Sequence, residues 1–220
     1  MALWELFTIA VLPYLAITVL VLGLGYKIIY WLKAPVNLHW ELFPYPRTLW
    51  EQAGELLTEV FTLRSLYIHN RSIWLASLVM HYGIYLVFFW LLFLVAGLSL
   101  AVYLGVTGGI LVAVGSLLLF LSRLIKPELR RISGPVEYFN LAFLFLLAVV
   151  GLSSGVFFDF TFRTYIISLV TFNPYFSLPE NYLPFLLLFW LFLLYIPFTR
   201  MAHFAVKYFT YHKVKWGEME

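Results

Sequence analysis

Cysteine is absent from the 220 residues. Its absence excludes disulfides, thiolate-bound zinc and iron–sulfur clusters held by this chain. Any metal must rely on histidine, methionine, carboxylate or backbone ligands. Charge is scarce: 11% of residues are charged against 63% hydrophobic, and the mean hydropathy is +0.92. A soluble domain of this length cannot hide so much apolar surface, so the composition defines an all-α integral membrane protein. No Gly-rich phosphate loop, HExxH pair or nucleophile elbow occurs, so the common nucleotide-binding, zinc-protease and serine-hydrolase signatures are missing.

What the sequence has in quantity is long apolar runs. A bilayer core takes about 20 apolar residues as a helix. Five segments qualify: about Leu6 to Trp31, Ser72 to Leu98, Tyr103 to Leu124, Val136 to Phe157, and Tyr182 to about Val206. The first lacks a basic n-region and a small-residue cleavage site, so it reads as a retained helix rather than a signal peptide. The whole of 1–220 reads as a single five-helix domain with one long loop at about 32–71.

The few basic residues are placed asymmetrically. Thirteen of the 14 Lys and Arg, from Lys27 and Lys33 to Lys213 and Lys215, fall on one side of this arrangement, and Arg163 alone falls on the other. The positive-inside rule therefore places the N-terminus outside and the C-terminus in the cytoplasm. The pI of about 9.0 follows from this topogenic bias and gives no case for nucleic-acid binding. In the 32–71 loop, Pro35, Pro44 and Pro46 predict extended chain. "TLWEQAGELLTEVFTL" then shows helical periodicity, with Leu49, Ala53, Leu56, Val60 and Leu63 on one face and Glu51, Glu55 and Glu59 on the other. That acidic face, with Lys27, Arg64 and Arg71, is expected to offer docking surface to a cytoplasmic protein, or to be merely solvated.

Five histidines are present: His39, His69, His81, His203 and His212. His81 lies nine residues into the second run, about 13 Å deep at 1.5 Å per residue. His203 lies in the last two turns of the fifth, which runs the other way. Both imidazoles are thus expected in the inner leaflet on antiparallel helices. Intramembrane histidines are costly and usually functional. Two at matching depth suit axial ligation of a haem, one imidazole on each face; the bland alternative is an interhelical hydrogen bond from each. Arg200, three residues before His203, suits a haem propionate through its forked guanidinium, or else snorkels as a topogenic charge. Arg123 is a weaker candidate for the second propionate. Gly83, beside His81, either makes room for a flat ring or serves helix packing. His39, His69 and His212 read as ordinary polar positions in the loop and at the interface. The 22 Phe, 15 Tyr and 8 Trp are expected mostly at lipid-facing and belt positions.

"SIWLASLVMHYGIYLVFFW" paired with "LYIPFTRMAHFAVK" resembles the haem b membrane subunits of the respiratory nitrate reductase gamma class. "WLKAPVNLHWELFPYP", followed by "LRSLYIHNRSIW", is more similar to the branch holding the membrane cytochromes of heterodisulfide reductase and of the sulfite-reductase-linked membrane complex. "GGILVAVGSLLLFLSRLIKPELRR" resembles that family's third helix. No single motif is specific; the ordered set is, and it covers nearly the whole chain.

The resemblance implies a cell-membrane cytochrome b subunit that passes electrons between a quinone pool, menaquinone or another, and a cytoplasmic iron–sulfur subunit. Membrane lipids and further membrane or redox subunits are the other expected partners. Family members usually carry a second histidine on each ligand helix, for a second haem. The corresponding positions here are Leu91 and Phe185, so the expectation is one haem b on His81 and His203, with Arg200 at a propionate. With no outer haem, the quinone site is expected close to the inner one. The alternatives are a haem-free membrane anchor, in which either histidine is dispensable, and a small transporter. Against a transporter stand the scarcity of intramembrane charge outside the His–Arg pair and the lack of an inverted repeat.

Overall fold

A computed structural model describes residues 2–34, 46 and 48–213, and within them all regular structure is helical. Five helices are long and apolar enough to cross a membrane: Leu3–Leu32 (α1), Arg71–Val95, Leu100–Ile125, Pro135–Ser154 and Glu180–Phe198. Between the first two lie Leu49–Thr62 (α2) and Arg64–His69 (α3). Arg71–Val95 is therefore α4 and Leu100–Ile125 α5. The short Pro127–Arg131 (α6) precedes Pro135–Ser154 (α7). Thr161–Val170 is α8, Glu180–Phe198 α9, and His203–Lys207 α10. The chain forms two compact units, Met1–Leu15 with Asn70–Phe192 and Ala16–His69 with Leu193–Glu220.

In the first unit, α4 and α5 pack backbone against backbone. A Cβ on Gly83 would sit 2.6 Å from Val112 N, and one on Gly115 2.5 Å from Met80 N. Lipid gives apolar helices no hydrophobic reason to associate, so close approach through small residues supplies the packing energy. Gly83, beside His81, is thereby a packing glycine. The turn between these helices uses Gly97 at φ +77, the left-handed conformation that ends helices at low cost. Arg163 of α8 caps the same end, its Nε donating to Val95 O at 3.1 Å. Arg163 thus satisfies a helix C-terminus.

Pro13 lacks the N–H that would bond to Ile9 O, and the first turns of α1 widen to a π-helix over Phe7–Val11. Tyr165 on α8 takes the released acceptor, its OH donating to Ile9 O at 2.9 Å while accepting from Trp190 Nε1 at 3.2 Å. The surrounding core is aromatic. Trp90 and Phe162 stack at 5.5 Å and 8°, Phe157 meets Trp90 edge-on at 4.8 Å, and Phe185 stacks on Phe189 at 5.6 Å. A Cβ on Gly105 would fall 2.6 Å from Trp90 Cδ1, and one on Gly151 2.8 Å from Phe157 Cε2. These buried rings are a minority: many of the described aromatics, Trp4, Tyr26, Phe88 and Tyr103 among them, are exposed, as expected for lipid-facing and belt positions.

Candidate functional site

His81 sits almost three turns into α4, half-buried, with Nδ1 2.7 Å from Ser77 O. A carbonyl can only accept, so Nδ1 carries the proton and Nε2 keeps the lone pair. Tyr85, one turn on, lies with its ring 6.5 Å from the imidazole. Tethering one ring nitrogen to a backbone carbonyl fixes tautomer and orientation for ligation by the other.

His203 is reached differently from the sequence expectation of one unbroken fifth helix. Pro197 cannot donate to the carbonyl one turn back and its ring crowds that carbonyl, so α9 tightens into a 3₁₀ turn over Ile196–Phe198. Thr199 then turns extended (φ −124, ψ 176), and its Oγ1 accepts from Met201 N at 3.2 Å to start a second 3₁₀ turn, Arg200–Ala202. His203 opens α10. Arg200 therefore precedes His203 in a separate turn instead of on a shared α-helix, and its carbonyl faces the imidazole: His203 Nδ1 donates to Arg200 O at 3.1 Å. His203 and Arg200 are both exposed. The tether again leaves Nε2 as the basic nitrogen.

This broken segment is held within the second unit at several points. Pro197 rests on Gly23 of α1, where a Cβ would come within 2.5 Å of Pro197 Cβ. Lys27 Nζ lies 3.4 Å from Thr199 O. Lys207, the last residue of α10, pairs with Glu59 of α2 at 3.0 Å. Glu59 also accepts from Ser65 N at 2.9 Å and Ser65 Oγ at 3.0 Å. Burial alone would raise its pKa, but the Ser65 and Lys207 contacts outweigh it and hold the carboxyl below the usual range. Of the three glutamates expected as docking surface, Glu59 is buried inside the protein, 7% exposed; Glu51 is exposed and Glu55 half-buried. The predicted apolar face is likewise only partly covered: Leu63 is buried but Leu49 is 81% exposed.

The remaining expected residues fall into place singly. Arg123 donates from Nη1 to Ser133 Oγ at 2.6 Å and receives Tyr138 OH on its own carbonyl, so it closes the turn between α5 and α7. His69 ends α3 and is exposed. His212 is buried, 1% exposed, contrary to its reading as an ordinary interfacial residue. His39 lies outside the described residues, as does the Pro35–Pro44 stretch. His81 belongs to the first unit and His203 to the second.

Among the described residues no three His, Asp or Glu side chains gather as a metal cage. A metal held by either imidazole would need donors beyond those side chains, and a haem would bring its own from the macrocycle. Leu91 is half-buried, and Phe185, 2% exposed, sits inside the aromatic core. A concavity of about 680 Å³ at the start of α1 is lined by Leu3, Trp4, Leu6, Phe7 and Val11, and includes none of the expected site residues.

Five apolar helices among the described residues define an all-helical, multi-pass membrane protein. The chain is similar to the Hdr-like menaquinol oxidoreductase cytochrome b-like subunit of Archaeoglobus fulgidus, 26% identical over 255 aligned positions that cover 91% of this chain and 76% of the relative. No protein-family model matches. The resemblance to Hdr-like membrane cytochromes is thus found along almost the whole chain, consistent with residence in the cell membrane.

Proposed function

We propose that this chain is a haem b membrane subunit that passes electrons between menaquinone, or another quinone, and a cytoplasmic iron–sulfur subunit of a respiratory complex. The N-terminus lies outside and the C-terminus in the cytoplasm, as the basic residues direct. His81 and His203 would hold one haem b through their ring nitrogens. The observation that carries this reading is the matched tether: each imidazole commits Nδ1 to a main-chain carbonyl, at 2.7 Å and 3.1 Å, and so presents Nε2 as a ligand. When bound, the haem supplies the one-electron step. The chain holds the imidazoles in one tautomer and would offer Arg200 to a propionate.

Support for a single haem comes from the residues where family members usually have their second pair. Leu91 has no ligating atom, and Phe185 is packed against Phe157, Phe162 and Phe189 at 6.0, 5.9 and 5.6 Å. An aromatic core fills that part of the first unit. The quinone site is then close to the inner haem, and transfer is electroneutral or completed by another subunit. Similarity to a menaquinol oxidoreductase cytochrome b-like subunit supports this chemistry.

Reduced-minus-oxidised spectra of wild type, His81→Ala and His203→Ala test the reading. The bis-imidazole haem b signal is expected in wild type and lost in both variants. A haem-free anchor instead gives no signal in any of the three and keeps complex activity in both variants.

A further inference from the structure

We propose that the pair of buried Glu59 and half-buried Lys207 is a positioning and charge-tuning device for the His203 ligand; the proposal rests on the haem reading above. The chain around the ligand is irregular: α10 is five residues long and passes at Tyr208 into a π-helical stretch, Tyr208–Lys213. It follows a break at Thr199, so the rigidity of α9 is not transmitted through a continuous hydrogen-bond ladder. Contacts with other elements of the second unit add to its hold.

Two cations do so. At the front of the segment, Lys27 reaches Thr199 O. At the rear, Lys207 reaches Glu59, whose side chain is 8% exposed and whose other oxygen accepts both donors of Ser65. Lys207 stands four residues after His203, one turn along the same helix face. Glu59 is anchored in turn by α2, which ends at Leu63 in the left-handed conformation (φ 50), where the Leu63 N–H still bonds Glu59 O at 2.9 Å. The carboxylate is thus pre-aimed by its own helix end and by Ser65, and Lys207 docks onto it. A lost partner would leave a buried charge uncompensated, which is why such pairs hold geometry firmly even where they add little net stability.

The same placement makes the pair electrostatically relevant to an iron on His203. Reduction lowers the charge of the iron by one, so added positive charge nearby favours the ferrous state and added negative charge disfavours it. A purely structural pair responds to either substitution in the same way, by loosening the ligand. A tuning pair responds with opposite signs.

The experiment is a redox titration of the full chain in detergent, with haem content measured on each sample. Glu59→Gln leaves Lys207 uncompensated, and the midpoint potential is expected to rise. Lys207→Met leaves Glu59 uncompensated, and the potential is expected to fall. Lys207→Arg keeps the ion pair and leaves the Ser65 bonds to Glu59 in place; haem is expected to be retained with a potential near wild type. Potentials that do not move in Glu59→Gln and Lys207→Met, shifts of one sign in both, or loss of haem from Lys207→Arg overturn the inference. His203→Ala separates the two levels: haem retained in that variant removes the ligand reading itself, whereas haem lost there with unmoved potentials in the others removes only the role of Glu59 and Lys207.

Discussion

Replacing Phe185 by alanine tests whether the aromatic core is packing in its own right. The ring is 2% exposed and meets Phe157, Phe162 and Phe189 at 6.0, 5.9 and 5.6 Å. In a soluble core the change would cost about 3–5 kcal/mol, much of it transfer from water. Lipid tails are as apolar as the ring, so that transfer contribution largely drops out for a membrane protein. The ring–ring contacts remain, each worth about 0.5–1.5 kcal/mol, and three of them give a loss of about 1.5–4.5 kcal/mol. For a chain of this size that corresponds to a fall in melting temperature of about 3–18 °C. Thermal unfolding in detergent, followed by circular dichroism beside the haem-to-protein ratio, is the assay. The expected result is a lower melting temperature with the haem ratio at low temperature unchanged. A melting curve that superposes on wild type, or a haem ratio cut by half at full stability, refutes the reasoning.

Tyr165→Phe removes the donor to Ile9 O and the acceptor for Trp190 Nε1, leaving buried polar groups unmet at a cost of about 1–3 kcal/mol; a lower melting temperature with an unchanged haem spectrum is expected. Pro197→Ala restores an N–H and lets α9 continue past the break, so the His203 imidazole is displaced and haem content falls; an unchanged haem ratio contradicts the account of the break. Acid should weaken the Glu59 clamp in a definite direction. Its folded pKa lies below the ordinary 4.5, so its contribution is present above that value and is lost as the pH falls through the folded pKa. Wild type should therefore lose more thermal stability than Glu59→Gln on acidification below about pH 4, and equal losses in the two proteins contradict the shift.

Much of the fold could be read from residues alone because spans are dictated by length and apolarity. Four of the five runs match their helices within a few residues, and the loop helix expected from periodicity is present as Leu49–Thr62, capped by Thr48 and Glu51, although its faces are not buried as that periodicity implies. The fifth span was legible only as far as Phe198. "IPFTR" contains the proline that breaks it, but continuous hydropathy masks a backbone break. Glu59 was placed on the solvent face because periodicity reports one helix at a time; its burial depends on Lys207, 148 residues away. His212 and the aromatic core escaped for the same reason, since long-range contacts bury them. Helix α8 gave little signal, being too short for a span and flanked by polar residues. Gly83 left two roles open, and the backbone of α5 beside it decides for packing.

The most direct measurement is the haem-to-protein ratio of the purified full chain, determined together with His81→Ala and His203→Ala. One haem b per chain, absent from both variants, is the predicted result. A ratio near two, or haem retained in either variant, contradicts it.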